Sequence, residues 1–230
     1  MIHHLQGVLS VEMVALFQQD LRAADWRDGR ITAGVQSAQV KQNEQVFEHC
    51  PVAQRLGKLL LGALEKNPDF ISAALPHVVY PPMFNRYGEG MGFGAHTDNA
   101  IRAIPGVAGR IRTDLSATLF LAEPDSYDGG ELVITEGDVT HQLKLPAGDM
   151  VLYPAGTVHA VAPVTSGVRV AAFFWVQSMV ADQAARDILY GLDSAIRGLA
   201  QEAPGLSPQS ASILQLTGCY HSLVRRWAVV

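Results

Sequence analysis

The side chains best suited to chemistry in this sequence are a histidine and an aspartate two residues apart, His96 and Asp98, at the end of a glycine-rich stretch. Residues i and i+2 of a β-strand point to the same face, so this imidazole and this carboxylate can aim at one point. Such a pair is an incomplete metal site, and on its own it also fits a solvated turn. His159, in the segment 153–159, is the predicted third ligand. Two histidines and one carboxylate on one face of an octahedron are typical of non-haem Fe(II) sites.

Arg169 follows His159 by ten residues and lies inside an apolar run, residues 168–176. A buried charge is costly unless it is paired, and the run contains no acidic residue. A guanidinium matches a carboxylate with two parallel hydrogen bonds, so a dicarboxylate bound to the metal at one end would satisfy Arg169 at the other. A structural ion pair with an Asp or Glu on a neighbouring strand is the alternative.

Several motifs occur in the order and spacing of a known enzyme family. They are His96-Thr97-Asp98, Gly129-Gly130-Glu131-Leu132, the segment 146–154, His159 and Arg169. Through these motifs the chain resembles the Fe(II)- and 2-oxoglutarate-dependent dioxygenases. It is most similar to the bacterial PKHD-type hydroxylases, whose catalytic domain is similar to that of prolyl 4-hydroxylases. The resemblance covers roughly residues 78–178, and the family's C-terminal helical extension has a counterpart here.

The resemblance implies Fe(II) held by the catalytic residues His96, Asp98 and His159, and 2-oxoglutarate with its far carboxylate on Arg169. It implies hydroxylation of a substrate by molecular oxygen with release of succinate and CO2, and ascorbate as a helper that keeps the iron reduced. Tyr87 would hydrogen-bond the 2-oxoglutarate, as an aromatic hydroxyl before the metal motif does in related enzymes; a plain core tyrosine is the alternative. Arg169 stands where collagen-type prolyl hydroxylases usually carry lysine, so a prolyl substrate does not follow.

Two other functions use the same architecture. A cupin-like metal-binding protein or isomerase would hold a metal without oxygen chemistry, because a fold does not determine a function. Such a site would typically show another histidine near the first pair, and it would not need a cation at Arg169. An inactive sensor or binding module should lack a ligand or the arginine, and neither is missing here.

Composition limits the class of protein and its partners. A chain of 230 residues with 48% hydrophobic residues can form one domain with a large core. The net charge of -5 argues against nucleic-acid binding, since phosphate backbones attract basic surfaces. No apolar run approaches the length of a membrane span. The two cysteines, Cys50 and Cys219, suggest neither a disulfide framework nor a thiolate metal site, which fits a reducing compartment. The predicted location is therefore the cytoplasm.

The pattern of apolar residues predicts a mainly β protein with flanking helices (α+β), and the resemblance identifies it as a double-stranded β-helix, or jelly roll. Amphipathic helices are predicted at residues 11–24 and 51–67. Residues 28–48 are predicted to form a strand or two with loose connections, and their sequence is silent about function. Short β runs separated by Gly- and Pro-containing turns fill the central part. The predicted regions are an N-terminal support (1–77), the dioxygenase core (78–178) and a helical extension (179–230).

Three further features of the sequence concern the substrate, the metal ligands and the assembly. The segment 100–112 is predicted to be a mobile loop beside the metal, and its arginines Arg102, Arg110 and Arg112 favour an acidic substrate, either a small molecule or a polypeptide. His141 and His77 have no carboxylate at strand spacing and are excluded as ligands. The extension, with a link at residues 203–208, leans either on the core or on a second copy in a homodimer.

Overall fold

The computed structural model describes residues 1–32, 34–104, 106, 108–202, 207 and 209–230, without the side chains of residues 200 and 201. The helices in the described residues are α1 (Val11–Arg22), α2 (Pro51–Leu64), α3 (Pro68–Ala74), α4 (Gln183–Glu202) and α5 (Ala211–Trp227). The strands are β1 (His3–Leu5), β2 (Trp26–Asp28), β3 (Lys41–Gln42), β4 (Glu44–Val46), β5 (Pro76–Val79), β6 (Met83–Tyr87), β7 (Gly92–His96), β8 (Ile101–Ala103), β9 (Arg110–Arg112), β10 (Leu115–Phe120), β11 (Tyr127–Gly129), β12 (Leu132–Glu136), β13 (Val139–Leu143), β14 (Met150–Pro154), β15 (Val158–Val161), β16 (Val164–Gly167) and β17 (Arg169–Ser178).

Two antiparallel sheets form the centre of the molecule. The larger has the order β1-β14-β10-β17-β6-β4-β2, with β5 also paired to β17, and the smaller has the order β13-β12-β15-β7-β3. Two further pairs, β11 with β16 and β8 with β9, complete the β structure of the described residues. This arrangement confirms the predicted mainly β fold with flanking helices.

Strand β10 shows how one sequence serves two environments. Leu115, Ala117 and Leu119 belong to the core that the larger sheet shares with α1, α2 and α3. Ser116 and Thr118 alternate with them and line a cavity on the opposite face. Because side chains alternate along a strand, the larger sheet buries an apolar layer under the helices and presents polar groups to the cavity.

Capping residues mark where two of the N-terminal helices begin. Ser10 caps the start of α1 by accepting a hydrogen bond from the Met13 N–H at 3.3 Å. Phe17 is fully buried, whereas Val11, the first residue of the helix, is 82% exposed. Asn67, predicted to end the second helix, instead caps a third helix by accepting from Phe70 N at 2.9 Å.

Two segments contain short strands, one predicted to be a mobile loop and one predicted to form a strand or two. The segment 100–112 was predicted to be a mobile loop, and this prediction is wrong for its two ends, which pair as the β8–β9 hairpin. The polar segment 28–48 contains β3 and β4, which pair with β7 and β6 respectively. Short strands at sheet edges carry little periodicity, so their pairing depends on the neighbouring strand more than on their own residues.

The C-terminal helices pack on this same chain. Leu189 of α4 is fully buried in a cluster with Leu75 and Val180, and residues of α5 such as Trp227 pack against it. The extension therefore leans on the core, which is the first of the two predicted arrangements. Of the predicted link at 203–208, only Ser207 is within the described residues. No helix among the described residues is long and apolar enough to cross a membrane.

Candidate metal centre

Strands β7 and β15 bring the two predicted histidine ligands together. They pair antiparallel in the smaller sheet with His159 directly opposite His96, and the register shifts just beyond this pair, between His159 and Val161. The two imidazole centroids are 4.3 Å apart. Residues 63 positions apart in the sequence thus become neighbours through the strand register.

Both imidazoles are oriented by the backbone. His96 Nδ1 lies 2.8 Å from Gly94 O, and His159 Nδ1 lies 3.0 Å from Thr157 O. A carbonyl oxygen can only accept, so Nδ1 carries the proton in each ring and Nε2 keeps its lone pair. Burial and the neighbouring His159 lower the pKa of His96 to about 4, so this ring is neutral at pH 7 and able to act as a ligand.

Asp98 completes the cluster from the end of β7. Its Oδ2 lies 3.7 Å from His159 Nε2 and accepts a hydrogen bond of 2.5 Å from Ser116 Oγ on the larger sheet. The ligand atoms of His96, Asp98 and His159 all lie within 4.8 Å of one another. Two neutral imidazoles and one carboxylate are a donor set that suits a divalent iron ion, so the cluster predicted from the sequence fits a metal.

Arg169 occupies the start of β17 and is 1% exposed. Its guanidinium carbon lies 5.3 Å from the ring centroid of Tyr87 and 5.3 Å from that of Phe120, so aromatic rings surround the charge. Nε and Nη2 have no hydrogen-bond partner, and no carboxylate of the described residues pairs with the group. The described residues therefore do not contain the structural ion pair that was the alternative role for Arg169.

Tyr87 stands opposite Arg169 in the β6–β17 pairing and is 1% exposed. Burial raises the pKa of its hydroxyl, which keeps the group protonated and able to donate a hydrogen bond. Asn85 Nδ2 donates to this hydroxyl at 3.5 Å. The Tyr87 hydroxyl is therefore a hydrogen-bonding group on the strand next to Arg169, while its ring packs in a hydrophobic cluster.

A cavity between the two sheets connects these groups. Its empty volume is about 770 Å³, part of which is open to solvent. The metal-binding candidates, Arg169 and Tyr87 all line it. Arg169, Phe173 and Trp175 lie on one face of β17, as expected for strand residues separated by even numbers, so this strand forms one wall along the length of the cavity.

Other residues considered at the level of sequence lie elsewhere. His141 lies on the edge strand β13, opposite Ile134 of β12. It is not in the metal-binding cluster, in agreement with its exclusion as a ligand. Arg112 pairs with Asp114 through a 2.6 Å contact, and Arg110 is exposed. Only Arg102 of the three predicted substrate-binding arginines lines the cavity, so the prediction of a three-arginine cluster is wrong.

Ser116 and Lys41 are among the cavity residues that the reasoning from sequence missed. Ser116, which supports Asp98, lies in a strand whose apolar pattern gave no sign of a partner on the other sheet. Lys41 lies in a segment whose sequence is silent about function, yet it is 4% exposed and lines the cavity. Its isolated position in a polar segment offers no periodic signal, and only the pairing of β3 with β7 reveals its burial.

Comparison with known proteins gives two family matches. Residues 82–177 match the 2OG-Fe(II) oxygenase superfamily, and residues 183–228 match the C-terminal domain of PKHD-type hydroxylases. A PKHD-type hydroxylase of Paraburkholderia xenovorans is 54% identical over 228 residues, covering 99% of each chain. A PKHD-type hydroxylase of Bordetella pertussis is 53% identical over 230 residues, covering 100% of each.

Solved structures share the fold at low sequence identity. A Pseudomonas putida prolyl-4-hydroxylase superposes with a TM-score of 0.51 at 20% identity, over 77% of this chain and 92% of that chain. A prolyl hydroxylase from Trichoplax adhaerens, in complex with a hypoxia inducible factor oxygen degradation domain peptide, has a TM-score of 0.57 at 14% identity, over 77% and 83% of the two chains.

Proposed function

This chain belongs to the PKHD-type hydroxylases of the 2OG-Fe(II) oxygenase superfamily, and on that basis we propose that His96, Asp98 and His159 hold its Fe(II) and Arg169 its 2-oxoglutarate. The enzyme is a 2-oxoglutarate-dependent hydroxylase. When bound, iron and cosubstrate supply the oxygen chemistry, in which one atom of O2 enters succinate, CO2 is released and the other atom reaches the substrate as a hydroxyl group.

The residues of the chain supply ligands, orientation and a sheltered cavity. Hydrogen bonds to Gly94 O and Thr157 O turn Nε2 of each histidine away from the backbone, and Ser116 holds one oxygen of Asp98. A site whose ligands are already oriented loses little conformational entropy on binding a metal. Arg169 and Tyr87 in the cavity are each 1% exposed, and low exposure to water strengthens electrostatic contacts.

The single observation that carries the proposal is the unpaired guanidinium of Arg169. A desolvated cation with two unsatisfied donor atoms requires an anion, and a carboxylate can accept two parallel hydrogen bonds from it. The same cavity contains the metal-binding cluster, so a dicarboxylate can reach both ends. A cation in the same cavity as the metal-binding cluster also distinguishes an oxygenase from a cupin-like metal protein. Relatives that match over 99% or more of both chains are named hydroxylases, which supports the oxygenase.

Tyr87 is proposed as a second group for 2-oxoglutarate. It stands opposite Arg169 across the strand pair, and its pKa, raised by burial, keeps the hydroxyl as a donor. Ascorbate is proposed as the reductant that restores Fe(II) after uncoupled turnover, which follows from the chemistry of iron in this superfamily. The substrate is proposed to be a small molecule or a residue of a polypeptide; the solved structure of a neighbour from Trichoplax adhaerens is a complex with a peptide fragment.

The proposed organisation of the chain has three regions. Residues 78–178 carry the candidate ligands of iron and 2-oxoglutarate. Residues 1–77 contribute helices that pack on the larger sheet and short strands of both sheets, and residues 179–230 form the helical extension that packs through Leu189. We further propose a cytoplasmic enzyme without a nucleic-acid or membrane partner, supported by the net charge of -5. A homodimer would use the outer faces of the C-terminal helices, including Leu214 of α5, which is 58% exposed.

The test is titration of the anaerobic Fe(II) protein with 2-oxoglutarate in wild type and Arg169→Leu. Loss of one member of a buried charge pair costs on the order of 3 to 5 kcal/mol, or roughly two to three decades of affinity or more. Arg169→Lys should lie between the two, because it keeps the charge but loses the fork of donors. Fe(II) affinity should stay nearly unchanged.

Arg110→Leu is the matched control, because Arg110 is exposed and outside the cavity. It should leave 2-oxoglutarate affinity within about twofold of wild type. Equal affinity in wild type and in a folded Arg169→Leu variant would remove Arg169 from the cosubstrate site and with it the main support for the proposed binding mode.

A further inference from the structure

Two cations other than Arg169 line the same cavity, namely Lys41 and Arg102. The first is Lys41 on β3, which is 4% exposed. Its ammonium group lies 5.3 Å from the ring centroid of Phe93 and 5.9 Å from that of Phe173. Its polar neighbours are neutral: it donates to Thr32 Oγ1 at 3.1 Å, and the side-chain amide of Gln45 lies 3.3 Å away. The lysine is thus held by neutral groups in a buried position.

The second cation is Arg102 on β8. Its guanidinium carbon lies 4.0 Å from a ring centroid of Trp175 and 5.6 Å from that of Tyr80, so the group is stacked on an aromatic wall. Its Nε is buried and has no hydrogen-bond partner. Stacking fixes the plane of the guanidinium, and the unpaired donor is available to an anion.

No carboxylate of the described residues lies within 4.0 Å of either cation. The acidic groups whose charge acts on Lys41 are Asp98 and Asp28. Asp98 accepts from Ser116 and belongs to the proposed iron site, and Asp28 is ion-paired with Arg30 at the surface. Burial and the nearby Arg102 lower the pKa of Lys41 to about 8, which shows that its charge is poorly compensated in this cavity.

The cosubstrate cannot serve both ends of the cavity. Arg169 and Trp175 are six residues apart on the extended strand β17, which corresponds to roughly 20 Å. The five-carbon chain of 2-oxoglutarate is too short to bridge Arg169 and the guanidinium stacked on Trp175. The two carboxylates of 2-oxoglutarate are moreover accounted for by the iron and Arg169 in the proposed function.

We propose that Lys41 and Arg102 form a substrate-binding site for a carboxylate, so that the hydroxylated substrate is an acidic molecule held by this carboxylate with its C–H bond turned toward the metal centre. This inference rests on the proposed function and adds the substrate class to it. The rings of Phe93 and Phe173 beside Lys41 provide apolar contact for the carbon skeleton that carries the carboxylate.

The test uses benzoate and benzamide as probes, because they have nearly the same shape and differ in charge. Each is titrated by calorimetry into the anaerobic Fe(II) protein saturated with 2-oxoglutarate, which keeps Arg169 and the metal occupied. Benzoate should bind at least tenfold more tightly than benzamide. Lys41→Met and Arg102→Gln should each weaken benzoate at least tenfold and leave 2-oxoglutarate affinity within about twofold.

Two exposed cations provide matched controls: Lys58→Met on α2 and Arg110→Gln on the same hairpin as Arg102 should leave benzoate binding unchanged. Arg102 is only half-buried, so its variant keeps the test decisive if Lys41→Met does not fold. The dipeptide N-acetyl-Glu-Phe amide, titrated in the same way, distinguishes an acidic side chain of a polypeptide from a free small acid, and preferential binding of either supports the carboxylate site.

Several results would overturn the inference. These are equal binding of benzoate and benzamide, no benzoate binding to wild type, or unchanged benzoate affinity in both cavity variants. Weaker 2-oxoglutarate binding in Lys41→Met would assign the lysine to the cosubstrate instead. Failure of wild type to bind Fe(II) or 2-oxoglutarate would overturn the proposed function itself, and this separate readout distinguishes the two failures.

Discussion

Each of the three proposed iron ligands has a hydrogen-bond partner of its own in the protein. Backbone carbonyls fix the two imidazoles, and Ser116 fixes Asp98 from the opposite sheet. Such partners are part of a metal site, because they set the tautomer and the direction of each ligand. The site is therefore distributed over both sheets, although two of its ligands come from neighbouring strands of one sheet.

Replacing any one ligand should abolish stable iron binding. His96→Ala, Asp98→Ala and His159→Ala each leave two donors, and Fe(II) affinity should fall by more than ~100-fold, since loss of an outer-sphere partner alone costs 10–100-fold. Anaerobic Fe(II) titration measures this directly. His141→Ala should behave as wild type; a loss of iron affinity there, with His159→Ala unaffected, would refute the ligand assignment.

Lys41 should make stability depend on pH. Its pKa is lowered to about 8 in the folded protein from its ordinary value of 10.5, so between these values the folded state has released a proton that the unfolded chain keeps. Unfolding then takes up a proton, and the free energy of unfolding rises with pH in this window. Urea unfolding of the metal-free protein at pH 8 and pH 9.5 should show this rise in wild type and not in Lys41→Met.

The window ends below pH 10 because the buried tyrosines Tyr87 and Tyr153 have raised pKa values and contribute in the opposite direction above it. Lys58→Met should keep the rise seen in wild type, because Lys58 is exposed. Parallel stability curves for wild type and Lys41→Met would contradict the assignment of this pH dependence to Lys41.

At the level of elements, the turn from β11 to β12 positions Arg169. Gly130 has φ +68°, and a Cβ there would lie 3.0 Å from Tyr127 Cε2, 3.0 Å from Val164 Cγ2 and 3.2 Å from Arg169 Cδ. The glycine motif recognised in the sequence thus has two physical reasons: a left-handed backbone and direct contact with the side chain that is proposed to bind 2-oxoglutarate.

Gly130→Ala should therefore affect both stability and cosubstrate binding. The left-handed backbone costs about 1–2 kcal/mol and overpacking about 1–3 kcal/mol more, and movement of Arg169 should weaken 2-oxoglutarate at least several-fold. Gly137→Ala is the control, because Gly137 has φ +60° with nothing within 4 Å of an added Cβ. It should show only the backbone cost, and equal effects of both substitutions in urea unfolding and titration would argue against the contact.

Periodicity alone was enough to predict the long elements and not the short ones. Strands such as β10 and β17 and the helices α1 and α2 bury a regular apolar face, and their positions agree with the apolar pattern of the sequence. The strands β3, β8 and β9 have two or three residues each, and their hydrogen bonds come from partners distant in sequence. Single-residue patterns cannot reveal such pairings.

The same distinction holds for the candidate site. His96, Asp98, His159 and Arg169 could be predicted because their residue types are costly or unusual at those positions and occur at a recognisable spacing. Lys41 could not, because a lysine in a polar segment is usually a surface residue, and its burial results from tertiary packing of β3 on β7.

At the scale of the whole molecule, the C-terminal extension is part of one folded unit. Leu189 is fully buried in a cluster that includes Leu75, at the end of α3, and Val180, just after β17. A helical segment that shares its core with α3 and with the residues after β17 should unfold together with the sheets in one transition.

Leu189→Ala should lower the free energy of unfolding of the entire chain by about 2–5 kcal/mol, since it leaves a cavity in this shared cluster. Ile188→Ala, on the exposed side of the same helix turn, should change it by no more than about 0.5 kcal/mol. Urea unfolding followed by circular dichroism and by tryptophan fluorescence should give coincident transitions. A separate early transition in Leu189→Ala would show that the extension folds independently.

Under the proposed binding mode, the unpartnered guanidinium of Arg169 would also make the stability of the folded chain depend on the concentration of 2-oxoglutarate. A ligand that binds only the folded state raises the free energy of unfolding with its concentration, by about 2.7 kcal/mol at one hundred times its Kd. A chain without 2-oxoglutarate keeps a desolvated charge with unpaired donors in its interior. Molecules in a starved cell would open more often and be degraded sooner, so the abundance of the enzyme would follow the supply of its own cosubstrate.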